Sequence, residues 1–292
     1  MSNPVDLVAL YGPDAHDWAP NTRLARADDW RAWSQLHLVE LSGETAISAI
    51  VEWMRRGVKW STIERRLSSL RSAHLHATGR WLFDRHESSE VRQLRRKAHR
   101  DGLGHRDCAP PLLSEDLAEV VLHAIPRDRA LILVGWHGAL RASEIAALTW
   151  SDVTVERRGI GLELRDTKTG LNQNVYLPRL PRHRAHVCAV AALTAMEPER
   201  QGSRTPLFGF WSRPLSRQAV SAIVARCCYA AGLGHGYSGH SLRSGYATSC
   251  ALAGIPDSII AQQTRHRSLS TLALYIRPAT LRRAPPALTV FP

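Results

Sequence analysis

Apolar side chains recur along the first hundred residues with the period of an α-helix. Trp30, Trp33 and Leu36 within residues 26–38, then Ile47, Ile50, Val51 and Met54 before Gly57, predict two amphipathic helices. Ser61 and Glu64 have the spacing of a capping box, in which each side chain answers an unpaired amide at a helix start. Ile63, Leu67 and Leu70 supply the buried stripe of this third helix, which ends near Gly79, and a fourth segment follows around Val91 and Leu94. Residues 1–22, rich in Pro, Asp and Asn, sustain no periodicity and are expected to form a flexible arm that can still reach a partner.

The pattern breaks at Asp101-Gly102-Leu103-Gly104 and Pro110-Pro111, and Ser114 opens a new helix with Leu117, Val120 and Val121. After Trp150 the period changes to that of strands. Val153-Thr154-Val155, residues 160–164 and residues 175–177, with Gly159 and Gly170 at turns, predict a three-stranded sheet. Helices are expected again at about 184–196, 216–231, 240–253 and 256–263. The fold class is therefore mainly α with a small antiparallel β-sheet, divided into an arm (1–22), a helical domain (23–105) and an α+β domain with a C-terminal tail (106–292).

A length of 292 residues agrees with two domains. No N-terminal stretch has the build of an export signal and no apolar run reaches the length of a membrane span, so no membrane partner is expected. Five cysteines, odd in number and without a C-x-x-C pair, fit reduced thiols in the cytoplasm. The net charge of +12 changes the picture more, because basic side chains displace the counterions condensed on nucleic acid. Residues 1–108 hold 17 Lys+Arg against 14 Asp+Glu and residues 109–292 hold 21 against 12, so most of the excess lies in the second part. Arg65, Arg66 and Arg71 on the third helix and Arg92, Arg95, Arg96 and Lys97 on the fourth could be solvated faces. Their repetition on successive short helices fits phosphate contacts better.

Arg141 at the start of a helix, His240 and Arg243 three apart, His266 and Tyr275 are each unremarkable alone. Together they form an ordered set: Arg141, Lys168 in a hairpin, His240 with Arg243, His266 at 23 residues beyond and Tyr275 at 9 beyond that. On these residues the chain resembles the tyrosine recombinases, or phage integrases. Ser238-Gly239-His240-Ser241 and Tyr275-Ile276-Arg277 are similar to the Cre-type members, although His266 stands where those have tryptophan. The resemblance covers the whole second domain and, less specifically, the four preceding helices, which look like the family's core-binding domain.

The resemblance implies a site-specific recombinase acting on double-stranded DNA. Arg141 and Arg243 would clamp the scissile phosphate bidentately, so that no metal and no cofactor is called for. His240 and His266 would donate hydrogen bonds to the same phosphate, and His240 could take the tyrosine proton. Glu144, one turn from Arg141, would orient the basic cluster, or else form a plain salt bridge on the helix surface. Only three lysines occur among 38 basic residues, and Lys168 is the one in the second domain; it would protonate the departing 5′ oxygen. Tyr275 would form a 3′-phosphotyrosyl bond that conserves the energy of the broken linkage. The family also implies a homo-tetramer on DNA, accessory DNA-bending proteins and a bacterial, phage or plasmid setting at the nucleoid. Ala287 to Phe291, an apolar stretch too short for a core of its own, would dock in a neighbouring protomer. Relaxation of supercoils in the manner of a type IB topoisomerase, and sequence-specific DNA binding without chemistry, are the alternatives.

Two departures from the family pattern stand out. Thr264-Arg265-His266 replaces a usual Leu-Gly-His, and Ala139 occupies a usual glycine position before Leu140-Arg141. If the glycine before the histidine serves a turn with positive φ, arginine there is strained.

Overall fold

The computed structural model describes residues 5–38, 40–104, 109–165, 173–197, 204–209, 213–266 and 272–273. The chain divides into two compact units, Met1–Cys108 and Ala109–Pro292, each with its own apolar core.

The first unit is helical: α1 (Leu7–Tyr11), α2 (Pro20–Ser34), α3 (Gly43–Arg55), α4 (Trp60–Thr78) and α5 (Arg85–Arg100). The predicted stripes face inward, except that Val51 is exposed, and they bury Trp33, Ile47, Ile50, Ile63, Leu67, Leu70 and Val91 around Trp53. Capping boxes start α3 (Ser42 with Thr45) and α5 (Asp84 with Glu87). The box read from Ser61 and Glu64 does not form. Lys59 is the residue before α4, Ser61 lies inside the first turn, and the Trp60 amide donates to the Leu103 carbonyl at 2.8 Å. Burial of Trp60 and the returning chain set this helix start, and a three-residue spacing cannot register either.

Residues 6–18 also differ from the expected arm. Asp6 caps α1, a 3-10 turn spans Pro13–Asp17, and Tyr11 and Ala15 pack on Ala73 of α4. The Tyr11 hydroxyl donates to the Ser69 carbonyl at 3.1 Å and accepts from Trp30 Nε1 at 2.7 Å. One aromatic ring with a polar end ties down a segment too short to display a helical period.

In the second unit, α6 (Ser114–Leu122), α7 (Pro126–His137) and α8 (Ala142–Ala147) precede a meander of β1 (Val153–Glu156), β2 (Gly159–Leu164) and β3 (Gln173–Pro178). Both pairings are antiparallel; Leu162 lies opposite Val153 on one side and Val175 on the other. Ile160, Leu162, Leu164, Val175 and Leu177 point into the core, as the two-residue period demands. A 3-10 turn at Arg182–Val187, none of it buried, then α9 (Ala189–Met196), occupy the stretch read as one helix from 184. Extended backbone at Cys188 separates the two. The last helices are α10 (Arg217–Ala230), α11 (Gly239–Leu252) and α12 (Asp257–Thr264). Helix α7 is buried almost all round and forms the centre on which α9 and α11 lie.

Close backbone approach seats α11. The Leu112 amide donates to the Ser241 carbonyl at 3.0 Å, Trp136 Nε1 donates to the Leu112 carbonyl at 2.9 Å, and a Cβ on Gly245 would fall 1.8 Å from that oxygen. Gly245→Ala would gain ~1 kcal/mol of helix propensity. Overpacking against backbone outweighs this, so a net loss of about 2 kcal/mol is expected as a lower urea midpoint. An unchanged midpoint would contradict this packing.

Candidate active site

The α7–α8 connection delivers Arg141. Gly138 and Ala139 turn the chain, Ala139 with φ of +47°, Leu140 plugs the core, and Arg141 stands immediately before α8. The Arg141 amide donates to Glu144 Oε2 at 2.8 Å, and Arg141 Nη1 makes an ion pair with Glu144 Oε1. The Glu144 side chain is only 6% exposed, so the pair is not a surface salt bridge. Burial works to raise the Glu144 carboxyl. Arg265 and then the amide and guanidinium of Arg141 outweigh it and hold the group below the usual carboxylate range.

Helix α11 delivers His240 and Arg243. The Ser238 hydroxyl accepts from the His240 amide at 3.2 Å, and a Cβ on Gly239 would lie 2.8 Å from the Cβ of Ala142, next to Arg141. The starts of α11 and α8 are thus in direct contact. Arg243 is 3% exposed and its Nη1 donates to the Ala139 carbonyl at 2.8 Å. Desolvation, with Arg243 and Arg141 adding to it, lowers the His240 imidazole from its usual value.

Helix α12 delivers His266 through a left-handed turn at Arg265, φ +55° and ψ +44°. The Thr264 hydroxyl donates to the Ile260 carbonyl at 2.7 Å, so its oxygen accepts from His266 Nδ1, also at 2.7 Å. Burial first, then Arg243, Arg141, His240 and Arg265, push His266 down to about 4. At neutral pH the ring is neutral with its proton on Nδ1. Its Nε2 becomes a donor to phosphate only after taking up a proton, which an arriving phosphodiester anion favours.

Arg141, Glu144, His240, Arg243 and His266 therefore meet where α8, α11 and α12 converge. Two guanidiniums and two imidazoles around one locus suit an anion that gathers charge on its oxygens. Lys168 and Tyr275 lie outside the described residues, as does the tail from 284. In the first unit the cations divide. Arg65 is ion-paired to the buried Asp29 at 2.8 Å, Arg66 lies 4.8 Å over the Trp53 ring, and Arg71 lies 5.0 Å over the Phe83 ring. Arg92, Arg95, Arg96, His99 and Arg100 line one open depression on α5, with Lys97 exposed nearby.

Arg265, read from sequence only as a source of strain, is a member of the site. Its Nη2 makes an ion pair with Glu144 Oε2 at 2.7 Å and its Nη1 donates to the Gly138 carbonyl at 3.0 Å. The signal available in the sequence was the pair of departures itself: both Ala139 and Arg265 occupy positive φ, where a glycine would be free of strain.

A model of the phage integrase family matches residues 113–282. An integrase/recombinase described as a XerD homolog, from Selenomonas ruminantium, is 30% identical, with 90% of this chain and 83% of that protein covered. Tyrosine recombinase XerD of Pseudomonas putida is 26% identical, with 90% and 88% covered. The Tn1549 transposon integrase, solved in complex with transposon right end DNA, has the same fold: TM-score 0.66, 17% identity, 96% of this chain and 99% of that one covered.

Proposed function

Because this chain belongs to the phage integrase family, the tyrosine recombinases, we propose that its second unit cleaves and rejoins DNA through a 3′-phosphotyrosyl intermediate, in site-specific recombination. The observation that carries the reading is the meeting of Arg141, Arg243, His240 and His266 beside a buried carboxylate. Arg141 and Arg243 hold the two nonbridging oxygens of the scissile phosphate. The Tyr275 oxygen attacks phosphorus and its proton passes to the neutral His240. The bond to the 5′ oxygen breaks, and Lys168 supplies that oxygen with a proton. His266, protonated once the phosphate is bound, donates to it. Attack by the 5′ hydroxyl of a second strand reverses these steps and completes the exchange.

DNA is the partner, and the exposed cations of α5, of which Arg95 lies 3.9 Å from Glu64, line one depression suited to its backbone, whereas the three arginines of α4 are engaged by Asp29, Trp53 and Phe83. Exchange between two duplexes requires four protomers, so assembly on DNA is a homo-tetramer, with DNA-bending proteins as helpers. The setting is the bacterial nucleoid or a phage or plasmid. Among the described residues no helix is long and apolar enough to cross a membrane.

The test is covalent capture. The protein is mixed with genomic fragments and quenched in detergent, and the attached DNA is sequenced; recurrence of one short site on protein-linked 3′ ends is expected. The absence of any adduct would overturn the reading, and relaxation of supercoils without exchange would move it to a topoisomerase. A second experiment isolates the acid. Lys168→Arg is expected to slow cleavage by about 10²-fold or more. A 5′-bridging phosphorothiolate, whose sulfur leaves without a proton, should recover most of that rate. Equal slowing on both substrates would remove Lys168 from the role.

A further inference from the structure

We propose that Arg265 is a positioning residue which, through Glu144 and the carbonyls of the α7–α8 connection, fixes Arg141 in place for the phosphate. The inference rests on the recombinase reading above and extends it to a residue outside the family's reactive set.

Arginine is a poor choice for this position if the backbone alone mattered. The left-handed conformation disfavours any residue with a Cβ by about 1 kcal/mol, and glycine would adopt it freely. The side chain, only 8% exposed, supplies the compensation. Nη2 pairs with Glu144 at 2.7 Å and approaches the Ala139 carbonyl at 3.4 Å. Nη1 donates to the Gly138 carbonyl at 3.0 Å and to the Gln263 carbonyl at 3.1 Å. Gln263 reaches the same connection, its Nε2 donating to the His137 carbonyl at 3.1 Å. The end of α12 is thereby stapled to residues 137–139 and to α8.

Glu144 is the shared element. One carboxylate oxygen accepts from the Arg141 amide and from Arg265, and the other pairs with Arg141 Nη1. With Arg265 removed, a buried carboxylate would keep a single cationic partner and could rotate, taking the Arg141 guanidinium with it. The same residue makes the turn that aims His266, so two of the groups around the phosphate depend on it. From the sheet side Asp152, Glu163 and Arg165 line the depression behind Glu144. Arg165 pairs with both Asp152 and Glu163, and among the described residues Arg141 and Arg265 are the cations paired with Glu144.

Arg265→Gly keeps the turn and deletes only the guanidinium. On a nicked suicide duplex at saturating concentration it is expected to form the covalent adduct about 10- to 100-fold more slowly, a loss typical of a displaced reacting group, with DNA affinity unchanged. The acid limb of its pH–rate profile should move to higher pH, because Glu144 without its strongest neutralising neighbour takes up a proton sooner. Arg265→Lys should restore the acid limb and only part of the rate, since an ammonium lacks the fork. A glycine variant that cleaves at the parental rate with an unmoved profile would overturn the proposal, as would one that is slow only through weaker DNA binding. If Arg265→Gly fails to fold, Arg265→Lys and Arg265→Gln are judged by the same two readouts. If the parent itself forms no adduct, the recombinase reading fails. The positioning role is then decided by a double-mutant cycle of Arg265→Gly with Glu144→Gln in urea unfolding, where additive effects would overturn it.

Discussion

Tyr275→Phe protein is expected to bind a nicked suicide duplex as the parent does and to form no covalent adduct, a loss on the order of 10⁴-fold or more. Phenylalanine retains the ring and removes only the oxygen that would bond to phosphorus, so binding and chemistry separate cleanly. The chain has six tyrosines, and the five other than Tyr275 are among the described residues. Tyr11 is packed in the first unit, where its hydroxyl bonds Ser69 and Trp30. Tyr246 lies edge-on to Trp136, with ring centroids 5.4 Å apart, and burial pushes its phenol well above the usual value. Tyr237 is likewise raised by burial and by Asp116. Tyr229 stacks on His235 at the far end of α10, and Tyr176 sits on β3. A Tyr275→Phe variant that still becomes attached would return the search to these residues.

Arg243→Ala is expected to reduce adduct formation by about 10²- to 10³-fold, the usual consequence of losing one donor aimed at developing charge. The expected effect exceeds that of Arg265→Gly because Arg243 would contact the phosphate itself. One of its nitrogens also holds the Ala139 carbonyl, so alanine here removes a phosphate contact and a brace of the strained connection together. Arg243→Lys separates the two contributions: it keeps the charge and loses the planar fork. Slow cleavage by a lysine variant with a parental urea midpoint supports the phosphate role. Parental cleavage by folded Arg243→Ala would remove the residue from the site.

Lys168 and Tyr275, outside the described residues, rest on spacing and residue type alone. The three strands and most helices were legible in the sequence, because a two-residue or 3.6-residue period survives without knowledge of the partner element. The misreadings share a cause. The Ser61–Glu64 box, the arm at 1–22 and the single helix from 184 each depended on what another part of the chain does: Leu103 reaching Trp60, Ala73 and Ser69 receiving Tyr11, Cys188 breaking a helix. Charge in a sequence likewise does not reveal that Asp29, Trp53 and Phe83 engage three arginines of α4.

What the amino-acid order determined by itself was the family and the two-part division, and it singled out the candidate reactive groups, since these follow from residue chemistry, local period and interval. What only the tertiary structure decided was the carboxylate-centred scaffold behind them. Glu144 became a buried hub, and Arg265 its second cation, only when the end of α12 came to rest on the α7–α8 connection, a contact spanning 121 residues. A buried charge is stable only beside its counter-charges, and which counter-charges those are depends on distances in space that the order of residues along the chain does not contain.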